Sequence, residues 1–565
     1  MTVLAFLLLI ASEWQVGATD SLGVLRQARR AQETFEARRR SNLPERPGGW
    51  NGGRSEVIGR IRYWTEDGGD EDTAPAEPPP IRRARAQLLA TLDGAGAALP
   101  GDEWIVGQQV RYLLEDAQPQ RAAQVASQCR AVAWWCEVLG GLVRHVGGDF
   151  AGADSVFAAA LADMSDAERC HWSDISSLLE GELADRYRAM DCTARAAFQV
   201  RWWWLAQPLY GLRGNDRRTE DFARRVMVHI QEGRRTLFGF YWGDDVRDLV
   251  LRYGWSTWWT RDSPPAYALV QSEIKVTGHS PSPAFQFAPA ARALDDPGSA
   301  TPDDWRFEAP AARERYAPAY AKAFTYLEHQ RAVFRRGDSC IVVAAYNLSA
   351  DTLFAEHAVT TALALAADER TLTTSRDSAV AAGPRALTAA APCQPLVLSL
   401  EAVARRERHV ARARYGLAPA PRAAEHAAIS DLLLFDPPDS LPTTLDAVVP
   451  HAHGSTRVPS DRRLGVFWEL YGVDPASGAV GISLTVAPQG TGWLRRAVES
   501  VGLATRRRGV RMEWQEVPEA AALAPRALAL DLSGLSPGVY VIEVAVASPN
   551  GDALTARREI RIERP

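Results

Sequence analysis

The chain has 565 residues, 46% hydrophobic and 24% charged, a length that implies three to five domains at roughly 100–200 residues each and a composition that builds packed cores. Size excludes a small disulfide scaffold or a lone binding module, and a net charge of −5 offers no positive field to recruit phosphates, which excludes a nucleic-acid binder. Two features depart from average usage: 18 Trp, and a set of 64 basic residues in which Lys275 and Lys322 are the only lysines. The high Ala content beside the Arg skew reads as a GC-rich genome rather than as selection for guanidinium chemistry.

Val3 to Ala11 is apolar and Val16-Gly17-Ala18 supplies a small-residue cleavage pattern. Residues 1–18 therefore read as a secretory signal peptide and the chain as exported, periplasmic or extracellular. The run falls far short of the roughly 20 residues of a permanent bilayer helix, and no later segment reaches that length, so no permanent membrane span is expected. Six cysteines form an even set, as an oxidising compartment favours. Cys340 and Cys393 each open a β-rich run and make a candidate disulfide. Cys129 and Cys136, if they share one helix, lie about 10.5 Å apart along its axis, beyond bridging distance, which leaves Cys170 as a partner for either. No CxxC spacing points to zinc or redox chemistry.

Along the chain, Leu22 to Arg40 has a helical pattern, and Ser41 to Pro80 turns to Gly, Pro, Asp and Glu, so residues 19–80 read as a helix and disordered linker. Residues 81–195 are helical with short polar breaks. Gly141, Ala153, Phe157 and Ala160 stand at spacings of +12, +4 and +3, with Gly147-Gly148 between the two helices. This spacing resembles a tetratricopeptide repeat, in which small residues let paired helices approach and the Phe fills the gap. The resemblance implies a helical solenoid whose concave face holds a peptide.

Seven of the 18 Trp fall between Trp202 and Trp259. In the same block Phe222, Val226 and Ile230 recur at i, i+4 and i+8, predicting an amphipathic helix capped by Asp216 or Thr219 and stopped by Gly233. Trp204 with Pro208, Asn215-Asp216, Glu220, Arg224-Arg225 and the run Arg247 to Gly254 follow in order, with Tyr241-Trp242-Gly243-Asp244-Asp245 between them. The block, residues 196–330, resembles a divergent GWxTD domain, a family of exported bacterial proteins of unknown role. The resemblance implies a strand over Arg247 to Gly254 and brings no established chemistry. The candidate ligand-binding set is Trp242, Asp244, Asp245, Arg247, Arg252, Tyr253, Trp255, Trp258 and Trp259. Indoles beside alternating Asp and Arg form either a core locked by cation–π and ion-pair contacts or a shallow aromatic groove with carboxylates, as sugar sites are built. On a strand, neighbours such as Asp244 and Asp245 point apart and cannot act as an acid/base pair.

A helix is predicted from Tyr316 to Phe334. Strands follow at Ser339–Asn347, Thr360–Ala366, Pro395–Ala402 and His409–Tyr415, then at Val480 to Val486, Val510 to Trp514 and Tyr540 to Val546 before an Asn550-Gly551 turn. Their period-two alternation predicts antiparallel β-sandwich modules over 331–425 and 426–565. The fold class expected is thus multidomain α plus β, a tetratricopeptide-like helical half followed by sandwiches. His451 and His453 lack a third metal ligand, Gly278 to Ser282 lacks the final glycine of a nucleophile elbow, and no P-loop or Rossmann fingerprint occurs, so no cofactor, metal or catalytic residue is assigned. The role expected is a non-catalytic exported interaction or scaffolding protein of the bacterial cell envelope with a protein or peptide partner. The alternative is a carbohydrate-binding protein or glycan hydrolase using the Trp/Asp/Arg cluster.

Overall fold

The computed structural model describes residues 3–45, 54–65, 74–261, 275–307, 312–418, 427–473, 478–489, 509–517, 523–547 and 553–564; the Asn550-Gly551 turn lies outside them. The chain forms two compact units, one comprising Met1–Pro208, Leu212–Ala291 and Arg306–Lys322, the other Leu209–Gly211, Arg292–Trp305 and Ala323–Pro565. Helices dominate the first and antiparallel strands the second, the order expected from the sequence.

The helices of the first unit are α1 (Val3–Ser41), α2 (Pro79–Ala98), α3 (Glu103–Glu115), α4 (Pro119–Ser127), α5 (Ala133–Val146), α6 (Phe150–Asp163), α7 (Asp166–Trp172), α8 (Gly181–Ala189), α9 (Cys192–Ala206), α10 (Asp216–Gln231) and α11 (Asp244–Tyr253). No helix among the described residues is long and apolar enough to cross a membrane. Gly141 on α5 is where α6 comes closest: a Cβ there would stand 2.5 Å from the Phe157 ring, and Ala153, Phe157 and Ala160 are buried around it. Asn215, rather than Asp216 or Thr219, caps α10, its side chain accepting from the Arg218 amide.

The boundary expected between residues 195 and 196 does not separate two cores. Phe222, Val226 and Ile230 on α10 share one hydrophobic core with Ile105, Val110, Trp135, Leu139 and Phe157 of the preceding helices. The apolar stripe of α10 is buried against α3, α5 and α6, so the helix completes that layer rather than opening a new domain.

Part of the expected linker is ordered. Strands β1 (Arg54–Ile58) and β2 (Ile61–Thr65) form an antiparallel hairpin. Gly59 turns it at φ +55, and a Cβ there would also lie 2.5 Å from that of Asp245, so both backbone conformation and close approach require glycine. Two short strands, β3 (Trp258–Arg261) and β4 (Val276–His279), pair later in this unit.

The helix predicted from Tyr316 to Phe334 does not form, and from Ala323, where the second unit resumes, the chain runs as strands. Pro318 interrupts the helical pattern, and Gln330, Ala332 and Phe334 are buried in alternation, the period of a strand. The first sandwich contains β5 (Ala323–Tyr326), β6 (His329–Arg336), β7 (Ser339–Tyr346), β8 (Ala358–Ala366), β9 (Leu372–Val380), β10 (Arg385–Pro392), β11 (Leu396–Ala404) and β12 (His409–Leu417). Its sheets run β10-β7-β6 and β5-β12-β11-β8-β9, with Val342 and Ala344 of one meeting Leu363, Leu398 and Leu400 of the other.

The second sandwich contains β13 (Ala428–Ile429), β14 (Leu433–Phe435), β15 (Arg457–Pro459), β16 (Arg463–Tyr471), β17 (Val480–Pro488), β18 (Val510–Glu516), β19 (Leu523–Asp531), β20 (Gly538–Ala547) and β21 (Ala553–Glu563). Strand β16 is flanked by β13 and β14 on one side and β19 on the other, facing a sheet ordered β15-β21-β20-β17-β18. Val466 and Trp468 meet Ile482, Leu484, Tyr540 and Ile542 between them.

Three disulfides occur, and no cysteine is free. Cys340 is bonded to Cys393. The exclusion of a Cys129–Cys136 bridge held only for one continuous helix. The chain instead breaks after Ser127 and restarts at Ala133, bringing the two Cα atoms to 5.6 Å and joining the cysteines. Cys170 therefore pairs with Cys192, not with either of them. Disulfides are compatible with an exported chain.

Candidate functional site

Helix α11 organises the region that carries the candidate residues. Val246, Leu249, Val250 and Tyr253 recur at helical spacing and are buried, which is why Arg247 to Gly254 winds as a helix instead of the strand that the family resemblance implied. The C-terminal carbonyls of α11 are bound by Arg224 of α10, which donates Nη1 to Leu251 O and Arg252 O at 3.0 and 2.9 Å and Nε to Glu220 at 2.6 Å. Placing a guanidinium there satisfies orphan carbonyls and complements the helix dipole. Glu220 in turn faces His145 Nε2 at 2.7 Å.

The hairpin β1–β2 docks on α11. Arg60 clamps Asp245 with Nε and Nη2 at 2.6 and 2.7 Å while its amide adds a third bond at 3.0 Å, and the guanidinium lies 4.1 Å from the Phe240 ring centre. The Arg60 hydrogen bonds hold the Asp245 carboxyl down at about 2. Glu56 accepts from Tyr253 Oη at 2.6 Å and Arg252 Nη2 at 2.9 Å, and Tyr63 stacks on Tyr253 at 4.1 Å. Sequence reasoning missed these hairpin residues. The signal lay in Glu56 to Tyr63, where alternating apolar residues flank a Gly-containing two-residue turn.

The structure separates the candidate residues into two groups. Asp244, Asp245 and Arg247, with Asp248, line a cleft of about 570 Å³. Its opposite wall includes His171, Asp174, Ser176, Ser177 and Arg188, from the stretch around the Cys170–Cys192 bridge. Ile58, Gly59, Leu251, Arg225 and Arg313 complete the lining, and the two arginines also tie that wall down: Arg225 Nη2 donates to Asp174 O at 2.7 Å and Arg313 Nε to Ser177 O at 2.8 Å.

The second group packs away from the cleft. Arg252 is buried and donates to Arg313 O at 2.7 Å, and Tyr253 is enclosed with Ile58, Ile61 and Trp242. Trp255 packs on Val228, Val250 and Leu251, Trp259 meets Phe238 edge-on at 5.2 Å, and Trp258 stacks on His279 at 3.5 Å. No indole lines the cleft. His453 is engaged by Asp436 at 3.0 Å and by Arg457 O at 2.9 Å. No group of three His, Cys, Asp or Glu placed to hold a metal ion occurs among the described residues.

Behind the cleft, α10 buries charge along most of its length, including Asp216, Arg217, Glu220, Asp221, Arg224 and Arg225. Burial pushes the Asp216 carboxyl up to about 6, against a hydrogen bond from Tyr320 Oη and an ordinary value near 3.9. A carboxyl whose folded value exceeds its unfolded one binds the extra proton in the native state. Its favourable contribution is therefore complete below about pH 4 and lost as pH rises through 6. Urea unfolding of wild type and Asp216→Asn at pH 4 and 7 should show wild type losing on the order of 3 kcal/mol relative to the variant. A difference that does not change with pH would rule out the assignment.

Fold and site together define a multidomain α plus β chain with a charged, indole-free cleft in its helical unit. No family model matches the chain, and no curated protein matches it. Among solved structures it is similar to a tetra-tandem repeat in the extending region of a large adhesion protein, 14% identical over 42% of this chain and 50% of that one, with a TM-score of 0.15. The chain thus spans half the length of that structure, and so low a TM-score carries neither a fold nor a function.

Proposed function

We propose that this chain is an exported, non-catalytic interaction or scaffolding protein of the bacterial cell envelope that holds a protein or peptide partner, with the Trp204 to Gly254 block a divergent GWxTD domain. The observation that supports it most is the state of the charges in the α11 cleft. Asp245, Asp248 and Asp174 are each within 3.5 Å of an arginine, whereas Asp244 and Arg247 line the same cleft without an ion pair or side-chain hydrogen bond among the described residues. Charges left unmatched at a concave surface favour a complementary partner. The three disulfides support an oxidising compartment. Glycan binding would require indole faces open to the ligand, and no observation favours it.

The test is capture from an envelope extract of the producing bacterium on immobilised protein, in parallel with a polysaccharide array. Wild type should retain a defined protein that Asp244→Lys/Arg247→Glu does not, and thermal unfolding of the variant, whose Asp244 is exposed and Arg247 half-buried, should show it still folded, with a loss of no more than about 1 kcal/mol. Identical retention by the variant, or retention of polysaccharide and no protein, would sink the reading.

A further inference from the structure

We infer that the α11 cleft is a carboxylate receptor that takes an acidic peptide segment, with Arg247 and Arg313 as the groups that meet its carboxylates. The inference rests on the interaction reading above and names the chemistry of the partner. Its basis is which charges remain after the protein has paired its own. The lining carboxylates are largely neutralised from outside the lining: Asp245 by Arg60 at 2.6 Å, Asp248 by Arg252 at 3.4 Å and Asp174 by Arg195 at 3.5 Å. Asp244 forms no ion pair among the described residues, and it is exposed.

The lining arginines are in a different state. Arg225 has a carboxylate partner in Asp221 at 2.7 Å, and Arg188 has one in Asp185 at 2.9 Å. Arg313 uses Nε on the carbonyl of Ser177 at 2.8 Å and forms no ion pair among the described residues. Arg247, half-buried, forms none either and has no hydrogen-bond partner there. Two guanidiniums thus line one cleft without a carboxylate in ion-pair contact among the described residues, Arg313 acting on Glu56 only at longer range. Planar guanidinium donors match carboxylate oxygens in paired, charge-assisted hydrogen bonds.

A peptide fits better than an acidic sugar because the lining holds no Trp, Tyr or Phe on which a pyranose face could stack. The volume of about 570 Å³ lies in the range of specific ligand clefts. The wall carrying Ser176 and Ser177 is held at both ends by the Cys170–Cys192 bond and anchored by Arg225 and Arg313, so little ordering remains to oppose binding.

Fluorescence anisotropy of the intact protein with four labelled probes tests this: tetraglutamate amide, Ala-Gly-Ala-Gly with a free terminal carboxylate, tetralysine amide, and trigalacturonate. Tetraglutamate amide should bind, more weakly as salt rises. Arg247→Gln should weaken it about tenfold, the usual effect of one charge-assisted hydrogen bond, and Arg247→Glu should abolish it with no change in melting temperature. Binding of the free-terminus peptide, lost in Arg247→Gln, would keep the carboxylate receptor and place its ligand at a chain end. Preferential binding of tetralysine or trigalacturonate, binding unaltered by Arg247→Glu, or no binding of any probe overturns the inference. If an envelope protein is captured through Asp244 and Arg247 while no acidic probe binds, the interaction reading survives and this inference falls; acidic-probe binding with no captured protein gives the reverse.

Discussion

Glu314→Ala is expected to destabilise the helical unit by about 3–5 kcal/mol, the cost of leaving one partner of a buried ion pair uncompensated. Arg217 and Glu314 are 0% and 1% exposed. Arg217 donates Nε and Nη2 to one carboxylate oxygen at 2.9 and 2.7 Å, and the other oxygen accepts from the amides of Phe287 and Ala288 at 3.2 Å each. Alanine would strand a buried guanidinium and two buried or half-buried N–H groups together. Glu314→Gln keeps an acceptor for the amides but not the charge, and should fall between wild type and Ala. Arg217→Met/Glu314→Leu removes both charges and should recover more than half of the loss, because replacing a buried pair costs far less than breaking one. Urea unfolding of the four proteins checks the series; a loss below about 1 kcal/mol for Glu314→Ala would show that the pair is not the staple it looks like.

The second large effect belongs to the first sandwich. Cys340 is the second residue of β7, and Cys393 follows β10, the strand paired with it in register Ala391 to Cys340. Their bond spans a sequence separation of 53, and the loop-entropy relation puts removal of such a constraint at about 4 kcal/mol. Cys340→Ala/Cys393→Ala should lower stability by that amount under non-reducing conditions, measured by guanidinium unfolding with a probe in the sandwich. The bond lies at the end of an already paired ladder, so the effect acts chiefly on the unfolded chain. A midpoint unchanged from wild type would contradict it.

The α10 helix shows how far periodicity carries. Phe222, Val226 and Ile230 are enough to predict it from sequence, and all three are buried. The polar face of the same helix is buried as well, and no pattern within the helix announces that. Its partners are Glu314, Tyr320, His145 and the carbonyls of α11, remote in the chain. The hairpin Arg54–Thr65 was read as linker because Gly- and Pro-rich stretches flank it. A two-stranded hairpin is marginal alone, and this one is stabilised by Ile58, Ile61 and Tyr63 docking on Val246, Leu249 and Tyr253, contacts that do not exist until α11 is in place.

The Trp count led to the region around α11, and none of its indoles lines the cleft there. Seven indoles between Trp202 and Trp259 mark where the chain concentrates aromatic surface: Trp202, Trp203 and Trp204 are buried, and Trp242, Trp255, Trp258 and Trp259 are half-buried. The amino-acid sequence by itself determined the period of α10 and of most strands, the α-then-β order and the close approach of α5 and α6 at Gly141, because each depends on residues within one element or in two consecutive ones. Only the tertiary structure decided which charges meet. Arg60 reaches Asp245 and Arg252 reaches Glu56 across about two hundred residues of chain. Among the described residues, those long-range pairs leave Asp244 and Arg247 of the cleft without an ion pair.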